Sequence, residues 1–345
     1  MPVGATILGC ASARLREAER RFFGRVNPLG FILFARNVKT PDQTRALVAD
    51  LRDSVGRGDA PVLIDQEGGR VARLKPPHWY GAPSAGVFAD LYASAPTRAV
   101  EALRLNTQLI ADDLVSLGID VDCTPVLDVP VVGAHDVIGD RAYGDIPSRV
   151  EVLGTAVCDA LLAAGVLPVI KHIPGHGRAT TDSHLDLPVV ETSRVTLEET
   201  DFVPFRTLAA MPWAMTAHVV YSAIDPTKPA TFSPTVIRTV IRGQIGFQGL
   251  LLSDDLSMAA LNGAFAARAQ QCRAAGCDVA LHCNGDMEEM KQVAEGAGAM
   301  DATGHKRVAN GRKMMGSLED FDRAAAMARL FDLLDGRFDV RRDTT

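Results

Sequence analysis

The chain has 345 residues, 47% of them apolar and 23% charged, with a formal charge of −6. That composition supplies a large core, and an acidic balance without any Lys/Arg run argues against nucleic acid as a partner. No stretch approaches the ~18 apolar residues of a membrane span, so no membrane partner is expected. The first apolar run, Val3–Cys10, is predicted to be a strand. Its Ile7-Leu8-Gly9-Cys10 end superficially resembles a lipoprotein cleavage site, but no basic residue precedes it and the run is too short for a signal peptide. Further strands are predicted at Gly30–Arg36, Pro61–Glu67, Ile119–Val129, Leu167–His172, Ala214–Tyr221, Gly249–Asp255 and Asp278–Asn284. Each is a short run of Val, Ile, Leu and Phe bounded by Gly, Pro or Asp, as in strands buried on both faces.

Helical spacing fills intervals such as Pro96–Leu117, Ser148–Ala164, Leu197–Ala210, Ser233–Ile245 and Ser257–Ala275. Thr40-Pro41-Asp42 puts a cap before a first-turn proline, and Gly118, Gly165 and Gly276 each close a helix before a strand. The segment Gln66–Ala95 reads as one long loop. Eight such units predict the α/β class: a single (β/α)8 barrel domain over residues 1–345, without a second sandwich domain, and with helices after about residue 285 packing on the barrel. An open doubly wound sheet is the alternative, but it usually carries a Gly-rich phosphate loop after its first strand, and Gly9-Cys10-Ala11-Ser12 is not one. Six cysteines with no C-x-x-C pair read as small buried hydrophobes in a reducing compartment, and the cytoplasm is expected.

Chemistry on such a barrel sits at the C-terminal strand ends. Those ends read Asp65-Gln66-Glu67, Asp128, Lys171-His172, His218, Ser253-Asp254-Asp255 and His282-Cys283-Asn284. Polar strand ends that merely meet water explain one or two of these, but not a Lys-His pair or two adjacent aspartates directly after apolar runs. The densest segment is Lys171-His172-Ile173-Pro174-Gly175-His176-Gly177, followed by Asp182-Ser183-His184. Asp182 and His184 are near enough on a folded loop for the carboxylate to orient the imidazole and favour its protonated form, as a proton donor requires. Leu250, Leu252 and Asp254 share one strand face, so Asp254 is predicted to enter the barrel mouth. Asp255 then points away, helping Ser257 cap the next helix.

These residues resemble the signature of glycoside hydrolase family 3, specifically the β-N-acetylhexosaminidases of bacterial cell-wall recycling. The resemblance extends to Asp65-Gln66-Glu67-Gly68-Gly69-Arg70-Val71-Ala72-Arg73, Ile138-Gly139-Asp140-Arg141-Ala142-Tyr143-Gly144, Thr216-Ala217-His218 and Ser253-Asp254-Asp255-Leu256-Ser257-Met258. It spans roughly Gly30 to Asn284. It implies a retaining hydrolase of terminal β-linked N-acetylglucosamine from peptidoglycan fragments, with no cofactor and no metal. It also implies Asp254 as nucleophile, His184 as general acid/base held by Asp182, and Asp65, Arg73, Arg141, Lys171 and His172 as sugar ligands. His176 and His218 are possible supports, Glu67 and Arg70 are expected to pair, and Asp128 and His282 have no assigned role. The sequence departs at Arg178-Ala179-Thr180-Thr181, where relatives often carry more acidic residues.

Three other readings stay open. His172-x-x-x-His176 has tolerable spacing for a metal-dependent hydrolase, although Pro174 and Gly175 rule out a helix presenting both imidazoles. A phosphorylase on the same scaffold would pass the sugar to phosphate. A catalytically retired sugar-binding protein would commonly have lost Asp254 or His184, and both remain.

Overall fold

The computed structural model describes residues 2–181, 186–317 and 321–337. Eight parallel strands close into a barrel: β1 (Gly4–Gly9), β2 (Pro28–Leu33), β3 (Val62–Ile64), β4 (Val121–Asp122), β5 (Leu167–Ile173), β6 (Trp213–Thr216), β7 (Leu250–Asp255) and β8 (Val279–His282). The ring shuts where Thr6, Ile7 and Leu8 pair with Ala280, Leu281 and His282. Every residue of β2 and of β5 is buried, as expected for strands lined by side chains within and helices without. The predicted (β/α)8 barrel is the observed fold.

Several predicted strands shorten. Ile119–Val129 keeps only two ladder residues, because the ladder is interrupted at Thr124-Pro125, where proline supplies no N–H; it meets β5 again through a bridge of Val126 to Lys171. Ala214–Tyr221 divides: Val220–Tyr221 leaves the barrel and pairs in parallel with Val189–Val190.

The helix boundaries follow the local chemistry. Thr40 Oγ1 accepts the Gln43 N–H at the start of the helix Pro41–Val55, and Gly118, Gly165 and Gly276 all have positive φ. Other helices differ from expectation. A helix, Ala85–Ser94, stands inside the predicted long loop and buries Ala85, Phe88, Ala89 and Leu91. Leu197–Ala210 breaks into Arg194–Glu199 and Val203–Thr207, the second with Pro204 in its first turn. Ser233–Ile245 winds as a π-helix over Val236–Gln244. The helix after β7 begins only at Phe265, so Ser257 closes a turn rather than capping a helix.

Beyond β8 the helices Met287–Ala297, Ala302–Arg312 and Arg323–Leu334 pack on the barrel wall, against β1, β7 and the helix Pro96–Ser116 respectively. Arg307 on the second of them and Arg242 on the π-helix both bond the carboxylate of Asp278, whose Oδ2 also accepts the Leu251 N–H of β7. No helix among the described residues is long and apolar enough to cross a membrane.

Candidate active site

At the C-terminal end of the barrel a cavity is lined by Asp65, Glu67, Arg73, Arg141, Lys171, His172, His176, Asp254 and Asp255, with Phe34, Met215 and Met258 as apolar walls. Its empty space, open mouth included, is about 740 Å³. The ends of β2, β3, β5, β6, β7 and β8, with the loops after β3, β4, β5 and β7, build it.

Lys171 is almost fully buried, with Nζ 2.9 Å from Asp65 Oδ1 and 2.6 Å from Glu67 Oε1. Arg141 grips Glu67 with two parallel bonds of 2.8 Å, and Arg73 donates to Asp65 Oδ2 at 3.1 Å. Burial alone would raise both carboxyls. Lys171 and Arg73 outweigh it at Asp65, holding that group well below the usual carboxylate range. Lys171 and Arg141 hold Glu67 at about 2. Burial works against the Lys171 ammonium too, yet Asp65 and Glu67 raise it above its ordinary value. All three are therefore charged at neutral pH.

The expected Glu67–Arg70 pair does not form. Arg70 bonds Asp140 at 2.8 Å instead, and Glu67 is committed to Arg141 and Lys171. Gln66 explains how the segment is held. Its amide oxygen accepts the N–H groups of Arg73 and Leu74, and its NH2 donates to the Leu74 carbonyl.

Asp128, without a role from sequence, lies at the centre of the neighbouring cluster. It accepts His172 Nδ1 at 2.6 Å, the His172 N–H at 3.2 Å and the His176 N–H at 2.6 Å. Burial would raise its carboxyl, but His172 outweighs that and lowers it. The His172 Nδ1 therefore carries the proton, leaving Nε2 to meet a ligand. Burial and the neighbouring His172 push His176 down to about 4, so it is neutral at neutral pH. The place of Asp128 on the stretch that follows β4 was legible; its partners were not, because they arrive from β5 and its loop.

Asp254 lines the cavity as strand alternation predicts. Asp255 borders it too, but its oxygens accept the Ser257 N–H and hydroxyl and the Cys283 N–H, so its carboxylate is spent on the turn. His218 supports this strand end: Nε2–H donates to the Asp255 carbonyl at 3.0 Å and Nδ1 accepts from Thr231. Burial lowers its pKa, consistent with that neutral tautomer. His282 is turned to Glu289 at 2.9 Å, outside the cavity lining.

The loop after β5 is seated from several sides. The Tyr221 hydroxyl donates to the Gly175 carbonyl, Arg178 pairs with buried Asp201, and Gly177 lies so close to Val129 that an added Cβ would stand 2.0 Å from its carbonyl oxygen. Asp182 and His184 lie outside the described residues. Among the described residues no three His, Cys, Asp or Glu side chains gather as metal ligands. All six cysteines are buried and unbridged.

Comparison with known proteins agrees with this architecture. A β-hexosaminidase of Alkalilimnicola ehrlichii is 41% identical over 288 residues, covering 82% of either chain. The structure of NagZ from Neisseria gonorrhoeae in complex with N-trifluoroacetyl-D-glucosamine superposes with a TM-score of 0.87 at 32% identity, over 97% of this chain and 99% of that one. A family 3 β-N-acetylglucosaminidase from Paenibacillus gives 0.79 at 29% identity, over 96% of this chain and 61% of that one. The model of the glycosyl hydrolase family 3 N-terminal domain matches residues 8–309, nearly the whole barrel, and the chain is accordingly a glycoside hydrolase belonging to family 3.

Proposed function

We propose that this protein is a retaining β-N-acetylhexosaminidase that removes terminal β-linked N-acetylglucosamine from peptidoglycan fragments in the cytoplasm. The β-hexosaminidase and NagZ relatives support the sugar, and unbridged thiols suit that compartment. The observation that carries the reaction is Asp254, lining one cavity with Asp65, Lys171 and His172.

The donors and acceptors left over by the internal pairs suit a sugar. A carboxylate offers about four acceptor sites, and Asp65 spends one on Lys171 and one on Arg73, leaving room for two neighbouring hydroxyls. Lys171 keeps a third N–H, Arg73 and Arg141 keep part of their forks, and His172 keeps Nε2. Glu67 is nearly filled, so it fixes Arg141 and Lys171 rather than touching the ligand.

In the first step the Asp254 carboxylate bonds the anomeric carbon, the glycosidic C–O bond breaks, and the leaving oxygen takes a proton from His184. In the second, water attacks that carbon, gives its proton to His184 and releases Asp254. An imidazole has a reference pKa of about 6.5, so it serves as acid and then base near neutral pH. Asp182 orients it.

A fluorinated slow N-acetylglucosaminyl substrate should leave a covalent label on Asp254, located by peptide mapping. A label on another residue, or none, would sink the assignment. Asp254→Asn should keep the fold and lose about 10³-fold or more in kcat. Product analysis with and without phosphate tells hydrolysis from sugar transfer to phosphate.

A further inference from the structure

The carboxyl of Asp122 has no part in the site as described so far. It ends β4 opposite Ile64 of β3 and is fully buried. Its Oδ1 accepts the Gln66 N–H at 2.9 Å, while Oδ2 meets no hydrogen-bond donor among the described residues. A buried acid with one oxygen unmatched is costly, and a neutral residue of similar shape would fill the space without that cost. What the acid holds in return is one peptide. Gln66 stands between Asp65 and Glu67, the two carboxylates that grip Lys171.

We propose that Asp122 is a positioning residue for the sugar: its hold on the Gln66 peptide sets where Asp65 and Glu67 stand around Lys171, and so shapes the wall that receives the hydroxyls. This rests on the reading of Asp65 and Lys171 as sugar ligands.

The electrostatics around Asp122 agree. Burial pushes its carboxyl up to about 7, the Gln66 N–H and Lys171 on β5 oppose that, and Asp65 and Glu67 at the end of β3 add to it. Cys123, next in its own strand, and Tyr143 are the other titratable groups it acts on, and burial keeps both protonated. Asp122 thus changes charge near neutral pH. An ionised carboxylate holds an N–H roughly twice as strongly as a neutral one.

Steady-state kinetics on an aryl β-N-acetylglucosaminide test this. Asp122→Ala should raise KM about tenfold with kcat within about twofold, the sign of lost uniform binding. Asp122→Asn keeps an oxygen for the Gln66 N–H and should return KM to within about threefold of the wild type at neutral pH. An unchanged KM in Asp122→Ala, or an Asn variant no better than the Ala one, overturns the proposal. Should Asp122→Ala not fold, the KM ratio of Asp122→Asn to wild type decides. It should rise from about 1 below pH 6 to about 3 above pH 8, because only the wild type gains a charge there. A flat ratio overturns it. Asp65→Ala separates the two levels: if that variant loses no affinity the ligand reading itself fails, whereas an impaired Asp65→Ala beside an intact Asp122→Ala sinks only the present inference.

Discussion

Asp65 and Glu67 stand two residues apart at the end of β3, yet their hydrogen bonds give them different work. Asp65 has acceptor capacity to spare, and Glu67 has almost none. Replacing Glu67 by Gln leaves Lys171 and Arg141 short of a buried counter-charge and should cost about 3–5 kcal/mol at neutral pH. The pH dependence has a definite sign. Glu67 is held at about 2, below its unfolded value, so its contribution is present above the ordinary glutamate pKa of ~4.3 and is lost as pH falls toward 2. Denaturation of wild type and Glu67→Gln should therefore converge in that acid window. A gap that persists unchanged at pH 2 would count against the buried ion cluster. His184→Ala tests the acid at the same scale. An aryl substrate with an acidic phenol should lose little, about tenfold or less, and a sugar leaving group about 10²-fold or more. Equal losses across a leaving-group series would remove His184 from that role.

Among the elements, strands were the most legible part of the sequence. Runs such as Leu167–Ile170 and Leu250–Leu252 are apolar because both faces are buried, and alternation put Asp254 on the cavity wall, although Asp255 borders the cavity as well. Helices with a Gly stop, such as Pro96–Ser116, were legible as well. Failures came where tertiary packing overrides local pattern. Ala85–Ser94 was hidden in a Pro- and Gly-rich stretch, and its burial of Phe88 and Leu91 depends on the neighbouring helix. In the site, residue types could be read, but pairings such as Glu67–Arg141 join positions 74 residues apart, which spacing does not encode. The Asp128 clasp on His172 and His176 was missed for the same reason. The loop after β5 offers a test at this scale. Gly177→Ala would drive a methyl into the Val129 carbonyl, costing about 1–3 kcal/mol and reducing kcat/KM through loss of the loop's seat. Melting and kinetics check both, and a variant normal in each would show that the close approach is dispensable.

In the whole molecule, the barrel's mouth and underside are held by different means. The mouth carries the charged cavity, while the underside is closed by chain from beyond β8. Ala5 donates to the Gly298 carbonyl, Met300 to the Val3 carbonyl, and Gly311 packs on Trp213 and Pro212. Arg307→Ala should destabilise by about 2 kcal/mol, since Asp278 would keep only one of its two guanidiniums. Turnover by the folded fraction should be unchanged, because Arg307 acts through Leu251, at the opposite end of β7 from Asp254. Denaturant titration and an assay at saturating substrate check the pair of outcomes, and a fall in kcat would mean the two ends of β7 are coupled.

The Asp278 clamp also bears on the order in which the chain can complete itself. During synthesis Asp278 and the strand it buttresses leave the ribosome with the Arg242 partner already available, but Arg307 is still to come. The strand bearing Asp254 thus receives its second brace from a segment made after the eighth strand, and a nascent barrel stopped at that strand would hold Asp278 by one of its two guanidiniums.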